Sequence, residues 1–398
     1  MSAPVSTRGW VRPMTARDTG ELHRASTPIE LFFDLCFVVA VAAAAGELHH
    51  YLAEGKVADG LLSYAMVFFA IWWAWMNVTW FASAYDNDDV AYRLAMFVQI
   101  TGALILAAGV PRAFEQRDFV VVTIGYVVMR ISLVGQWLRA ARNDPTSRRS
   151  CLRYAAAISI CQVGWIALLF LPNEAKMPGF IVMVLAEVFV PVWAERVGPT
   201  PWHRGHIAER FALFTLIVLG EAVTSASIAI GAAVQSQSAL RTVAPVVVGG
   251  LLLVFSMWWM YFARPAGDTL NSARRVFEWG YGHLLIFASL AAVGAGIALA
   301  IEHLSMTAGS VELEAAHVSD VLVGAAVTIP VSLFLLTTWW LHLRPHDTSA
   351  KHGIVNLAGV ILLLAATFSS QPVLIAGALF VAILVVNMWL ERGEPVPV

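Results

Sequence analysis

Apolar runs of roughly twenty residues follow one another along this chain, parted by short polar connectors. Coiled as an α-helix, such a run spans a hydrocarbon core about 30 Å thick. The pattern predicts helices near 31–51, 60–83, 91–111, 119–141, 151–171 and 178–195, then 209–231, 243–263, 277–301, 318–342, 353–370 and 372–391. The expected fold is all-α and integral to the membrane, with about twelve transmembrane helices. The last two are separated only at Ser369-Ser370-Gln371-Pro372.

Composition agrees. Apolar residues make up 59% and charged residues 13%, against about half and a quarter in soluble domains, and mean hydropathy is +0.72. The lipid bilayer is the expected partner; a net charge of −2 gives no reason to expect nucleic acid. Residues 1–28 are polar and Arg-bearing, and the first apolar run is a full span, so no cleavable signal is read. That tail reads as a cytosolic arm, disordered or lying on the surface. Of 25 Lys and Arg residues, 19 fall on the side of the N-terminus and 5 on the other, with Arg130 inside a helix. The positive-inside rule then places both termini in the cytoplasm of a bacterial inner-membrane protein.

The chain looks duplicated. Glu30-Leu-Phe-Phe-Asp-Leu-Cys-Phe-Val-Val opens the first helix and Glu209-Arg-Phe-Ala-Leu-Phe-Thr-Leu-Ile-Val the seventh; Trp72-Trp73 is answered by Trp258-Trp259, and Trp137-Leu-Arg by Trp340-Leu-His. Six helices is an even number, so the halves are expected as two parallel six-helix repeats. The division is a tail at 1–28, a first repeat at 29–196, a cytosolic connector at 197–208, a second repeat at 209–391 and a C-terminal tail at 392–398.

Ionisable residues inside spans are the candidate chemistry, because charge at depth needs a partner or water. Glu30 and Asp34 are four apart on one face of the first helix, behind Thr27 as N-cap and Pro28 at the first position. His206, Glu209 and Arg210 share a face at the start of the seventh. The two helices are expected to meet, pairing Glu30 and Asp34 with His206 and Arg210. Glu221 lies about 18 Å beyond Glu209 along the axis, next to Gly220, which could admit a close helix. Asp34, Glu221 and Glu30 are the candidate proton or solute sites, with His206, Glu209 and Arg210 as a gating ion-pair network. Glu187 and Arg130, both mid-helix, are expected to pair; Glu278 is a weaker, interfacial candidate. Asp86-Asn87-Asp88-Asp89 reads as a solvated loop facing Arg93. Glu47, His49 and His50 read as a surface cluster, and Trp72, Trp73, Trp75 and Trp80 as packing. Three cysteines show no metal spacing. With no GxGxxG, P-loop, GxSxG or HExxH, no soluble-enzyme chemistry, cofactor or metal is expected.

The segments Glu30-Leu-Phe-Phe-Asp-Leu-Cys-Phe-Val-Val-Ala-Val and His206-Ile-Ala-Glu-Arg-Phe-Ala-Leu-Phe-Thr-Leu-Ile-Val-Leu-Gly-Glu resemble the hallmarks of the bacterial low temperature requirement protein A (LtrA) family. The resemblance covers roughly 28–390, with Cys36 where valine is usual. It implies the membrane fold but supplies no biochemical activity. A partial likeness to endolysosomal potassium channels rests on Arg210-Phe-Ala-Leu-Phe-Thr and Phe33-Asp34; Ile29 and Leu216 depart from it. The expected function is a transporter of a small solute, proton-coupled. The alternatives are a cation channel, and a non-transporting membrane enzyme or stress-related sensor. Substrate and homo-oligomeric state stay open.

Overall fold

The computed structural model describes residues 10–18, 20–21, 25–85, 87–233, 237–307, 318–346 and 350–391. Among them are α1 (Pro28–Ala53), α2 (Val57–Ala84), α3 (Val90–Ala108), α4 (Val110–Glu115), α5 (Val120–Asn143), α6 (Arg148–Leu168) and α7 (Asn173–Glu195). There follow α8 (Arg204–Ala233), α9 (Gln237–Phe262), α10 (Ala273–Thr307), α11 (Asp320–Thr338), α12 (Ala350–Ala366) and α13 (Pro372–Glu391). A π-helical turn, Trp339–Leu343, continues α11. The described residues contain no strand; a lone bridge pairs Ala16 with Tyr85.

Each predicted span has its helix, and among the described residues eleven helices are long and apolar enough to cross a membrane. The twelfth, predicted at 353–370, is the 17-residue α12, about 26 Å long. It is shortened at its C-terminal end, where the Thr367, Phe368 and Ser369 N–H groups bond three residues back and tighten the last turn. The short α4 was not predicted; Gly109 and Pro111 break the apolar run there.

Charge lies inward and hydrocarbon outward, the reverse of a soluble helix. On α1 the buried face carries Glu30, Phe33, Asp34 and Phe37, while Leu31, Phe32, Leu35 and Val39 are exposed. This is a multi-pass membrane protein, because such an apolar exterior is stable only in lipid.

The chain forms two compact units, Met1–Ala40 with Phe69–Leu213, and Val41–Phe68 with Phe214–Val398. In the first, α3 lies against α5 at a glycine crossing: a Cβ on Gly102 would stand 2.7 Å from the Gly125 carbonyl oxygen, and one on Gly125 2.5 Å from that of Gly102. Only missing side chains let the two backbones approach so closely. Trp137 stacks on Tyr154 at 4.3 Å to join α5 to α6. Of the described residues before α1, Met14 is fully buried in this unit, and the Arg17 backbone N–H donates to the Ala84 carbonyl at 3.0 Å. The second unit packs α9 on α13 and runs α10, α11, α12 and α13 as successive neighbours.

Candidate functional site

The N-terminus of α1 is built as a capping box. The Thr27 N–H donates to Glu30 Oε2 at 2.7 Å, and the Thr27 hydroxyl donates to the same oxygen at 2.9 Å. Glu30 Oε1 stands 3.2 Å from both His206 Nε2 and Arg210 Nη1 of α8. His206 Nε2 also lies 3.4 Å from the capping oxygen Oε2, so one carboxylate both caps α1 and pairs with α8.

One turn further, Arg210 closes a fork on Asp34: Nε donates to Oδ2 at 2.9 Å and Nη2 to Oδ1 at 2.5 Å. The Trp75 indole N–H of α2 donates to Asp34 Oδ1 at 2.7 Å, and the Trp75 ring stands edge-on to Phe211 at 4.8 Å. Two parallel N–H···O bonds to an ionised acid are among the stronger protein contacts. All four members, Glu30, Asp34, His206 and Arg210, are at most 1% exposed. The result is an acid–base ladder with two rungs, Glu30 to His206 and Asp34 to Arg210. Because both helices climb one turn from the first rung to the second, they run in the same direction here.

Two carboxylates face one guanidinium, so the ladder holds one excess negative charge unless one further proton is bound, on the His206 ring or on one of the acids. His206 Nδ1 has no hydrogen-bond partner among the described residues. The backbone N–H of His206 donates to His203 Nδ1 at 3.1 Å, and His203 Nε2 lies 2.7 Å from the Glu21 carbonyl oxygen. Glu209 turns elsewhere: its Oε1 accepts the Ser26 backbone N–H at 2.9 Å, fixing the chain where it enters α1.

Glu221 lies in the other unit, half-buried, where it accepts a hydrogen bond from Ser225 Oγ at 3.1 Å. Gly220 beside it makes no close approach, since a Cβ there would meet nothing within 4 Å. The tight contact on this stretch is one residue on, where a Cβ on Gly294 would stand 2.8 Å from the Ala222 Cα.

The profile of the bacterial low temperature requirement A proteins matches residues 25–388. The chain belongs to the LtrA family. An uncharacterized protein of Rhizobium meliloti (strain 1021) is 29% identical, over 73% of this chain and 72% of its own length. No solved structure matches the chain. In this LtrA protein the two segments that carry the family resemblance are the two sides of the ladder.

A second charged site occupies the same unit as the ladder. Glu187 of α7 and Arg130 of α5 form the expected pair at 3.4 Å, both buried. The Trp73 and Trp165 indoles donate to Glu187 at 2.8 and 3.0 Å, and the Tyr126 hydroxyl at 3.5 Å. Trp73 and Trp75 are thus carboxylate donors as well as packing, which sequence reading missed. The available signal was that a buried indole N–H needs an acceptor, and these spans contain few besides the deep acids.

Glu278 is half-exposed, accepting from the Trp340 indole at 2.9 Å and pairing with Arg275 at 3.3 Å. Arg93 forks onto Asp88 at 2.7 and 3.1 Å. Asp89 is buried, caps α3 through the Tyr92 N–H at 2.8 Å and pairs with Arg139. The solvated-loop reading therefore holds for Asp88 and not for Asp89, because the α3 N-terminus draws that carboxylate inward; Asp86 lies outside the described residues. His49 pairs with Glu302 at 2.7 Å and His50 with Glu54 at 3.3 Å.

Proposed function

We propose that this LtrA protein is a proton-coupled carrier of a small solute in the bacterial inner membrane, with both termini in the cytoplasm. The observation that carries the reading is the charge count of the ladder. A buried site with two acids and one guanidinium is one proton short of neutrality, and an uncompensated buried charge is costly. A proton bound within the ladder neutralises it and favours α1 and α8 together; its release favours their parting. A pair of helices whose contact depends on one proton is a coupling element, since proton binding and helix position then bias each other.

Both first helices of a duplicated plan would meet at this ladder, with repeats at 29–196 and 209–391. Support comes from the matched order of the rungs, since parallel repeats put their first helices in the same direction. The excess of Lys and Arg on the side of the N-terminus supports a ladder at the cytosolic end. Glu221, deeper on α8, is a further proton or solute site in this reading.

The test is flux in proteoliposomes against a panel of inorganic cations, amines and organic acids, with internal pH followed by a trapped dye. One class should move together with protons, and the pH dependence of its flux should change in His206→Gln or in Asp34→Asn. Unitary currents would replace the carrier with a channel. Unchanged pH dependence in His206→Gln and in Asp34→Asn would remove the ladder from the mechanism.

A further inference from the structure

The interior of the first unit holds polar side chains that the ladder does not use. Gln99 on α3 and Gln162 on α6 are 0% and 8% exposed, and among the described residues neither the oxygen nor the nitrogen of either amide has a hydrogen-bond partner. Arg130 Nε, also buried, is equally without one. Nine in ten buried polar groups in proteins are paired, so several orphans in one region call for an occupant.

Helix register places these groups at one level. Between α3 and α5, the Ser132 hydroxyl donates to the Ala95 carbonyl at 2.8 Å, and a Cβ on Gly102 would stand 2.7 Å from the Gly125 carbonyl oxygen. Gln99 falls between these contacts, level with Met129 and Arg130. Between α5 and α6, Trp137 meets Tyr154 and Tyr126 meets Trp165. Gln162 falls between those, again level with Met129 and Arg130. Glu187 joins the level from α7 through Arg130 and Trp165. Arg130 stands ten residues from Val120 and thirteen from Asn143, about 15 and 20 Å from the helix ends, so the level lies mid-span. Gln136, a third buried amide with no partner among the described residues, lies further along α5 toward the α6 turn.

We propose that this mid-span layer binds a small uncharged solute bearing both a hydrogen-bond donor and an acceptor, of amide or urea chemistry. Arg130 and Glu187 cancel each other, so the layer offers no net charge to hold an ion. Each glutamine presents one carbonyl and one NH2, the complement of another amide, and Arg130 Nε adds a donor. Solute sites of carriers commonly sit at mid-membrane depth. The assignment names the solute of the carrier reading above, and rests on that reading for passage but not for binding.

Binding is tested on the purified full-length protein by titrating its thermal unfolding midpoint with acetamide, using acetate and methylammonium as charged controls. A ligand of the folded state raises the midpoint saturably. Acetamide should do so and the charged controls should not. Gln99→Leu and Gln162→Leu should each weaken the acetamide effect at least tenfold. Without solute, both should unfold at a higher temperature than the wild type, because an orphan amide has been removed. A binding glutamine thereby departs from a structural one, whose loss lowers the midpoint or prevents folding. No saturable acetamide effect, equal binding of a charged control, an undiminished effect in the variants, or their destabilisation would each overturn the site. Binding without flux in proteoliposomes would overturn the carrier and leave this site standing.

Discussion

Arg210 grips both oxygens of Asp34 while its remaining nitrogen faces Glu30, so one guanidinium of α8 serves both acids of α1. Breaking a buried pair strands a charge at a cost of about 3–5 kcal/mol, whereas removing both partners is often neutral. Arg210→Met should therefore destabilise the protein severely, and Asp34→Leu added to it should restore much of the loss. Thermal unfolding of the two variants decides it; additive losses would mean that the pair is not coupled.

The indole donors should matter through one atom each. Trp75→Phe keeps an aromatic ring against Phe211 but removes the N–H held by Asp34. A hydrogen bond to a charged group is worth roughly 1.5–3 kcal/mol, and Trp75→Phe should lose about that much. Trp73→Phe should behave likewise at Glu187. Chemical denaturation midpoints of each single variant and of Glu187→Gln with Trp73→Phe would reveal whether the paired losses overlap, as this geometry requires.

Acid should loosen the connectors beside α3 and α6. Burial alone would raise the Asp89 carboxyl, but the Arg139 guanidinium and the Arg12 and Tyr92 backbone N–H groups hold it below the usual range. Asp144 is lowered in the same way, burial being outweighed by the Tyr85 and Ser147 hydroxyls and the Ser147 and Thr146 N–H groups. A folded-state value below the unfolded one gives stability that is complete above the unfolded value, about 3.9 for aspartate, and lost as pH falls through the folded value. The unfolding midpoint should hold from pH 7 to about 5 and fall below about 4. Asp89→Asn should be less stable at neutral pH and show a shallower acid decline.

The glycine crossing of α3 and α5 admits no side chain. Gly125→Val would drive Cβ into the Gly102 carbonyl and the Leu106 backbone, within 3 Å. Overpacking of this kind costs about 1–3 kcal/mol or more. Gly135→Ala on the same helix, where a Cβ meets nothing within 4 Å, should be neutral or slightly stabilising through helix propensity. Equal effects at the two positions would refute the crossing.

Sequence periodicity located the spans because membrane helices announce themselves by length and apolarity, and the deep acids stood out because charge is rare there. Glu30, Asp34, His206 and Arg210 were legible as a set because each pair sits four apart on its own helix. Their meeting was an expectation that the geometry bears out. Glu209 shares the face by spacing, yet its carboxylate points to Ser26, a direction that spacing does not encode. Trp73 and Trp75 were hidden among tryptophans read as packing. Gln99 and Gln162 drew no attention because a lone glutamine in a span breaks no pattern; only the register between α3, α5 and α6 makes them neighbours in depth.

The two-rung spacing has a mechanical consequence. Acids and bases both repeat at one-turn intervals, so the contact behaves as a vernier with discrete stops. A slide of α8 by one turn, about 5.4 Å, would carry Arg210 from Asp34 to Glu30, whose Oε2 is already taken by the Thr27 cap. The fork on two free carboxylate oxygens would be lost there, and His206 would pass beyond the end of the scale. Fork and cap together therefore lock α1 and α8 at one stop.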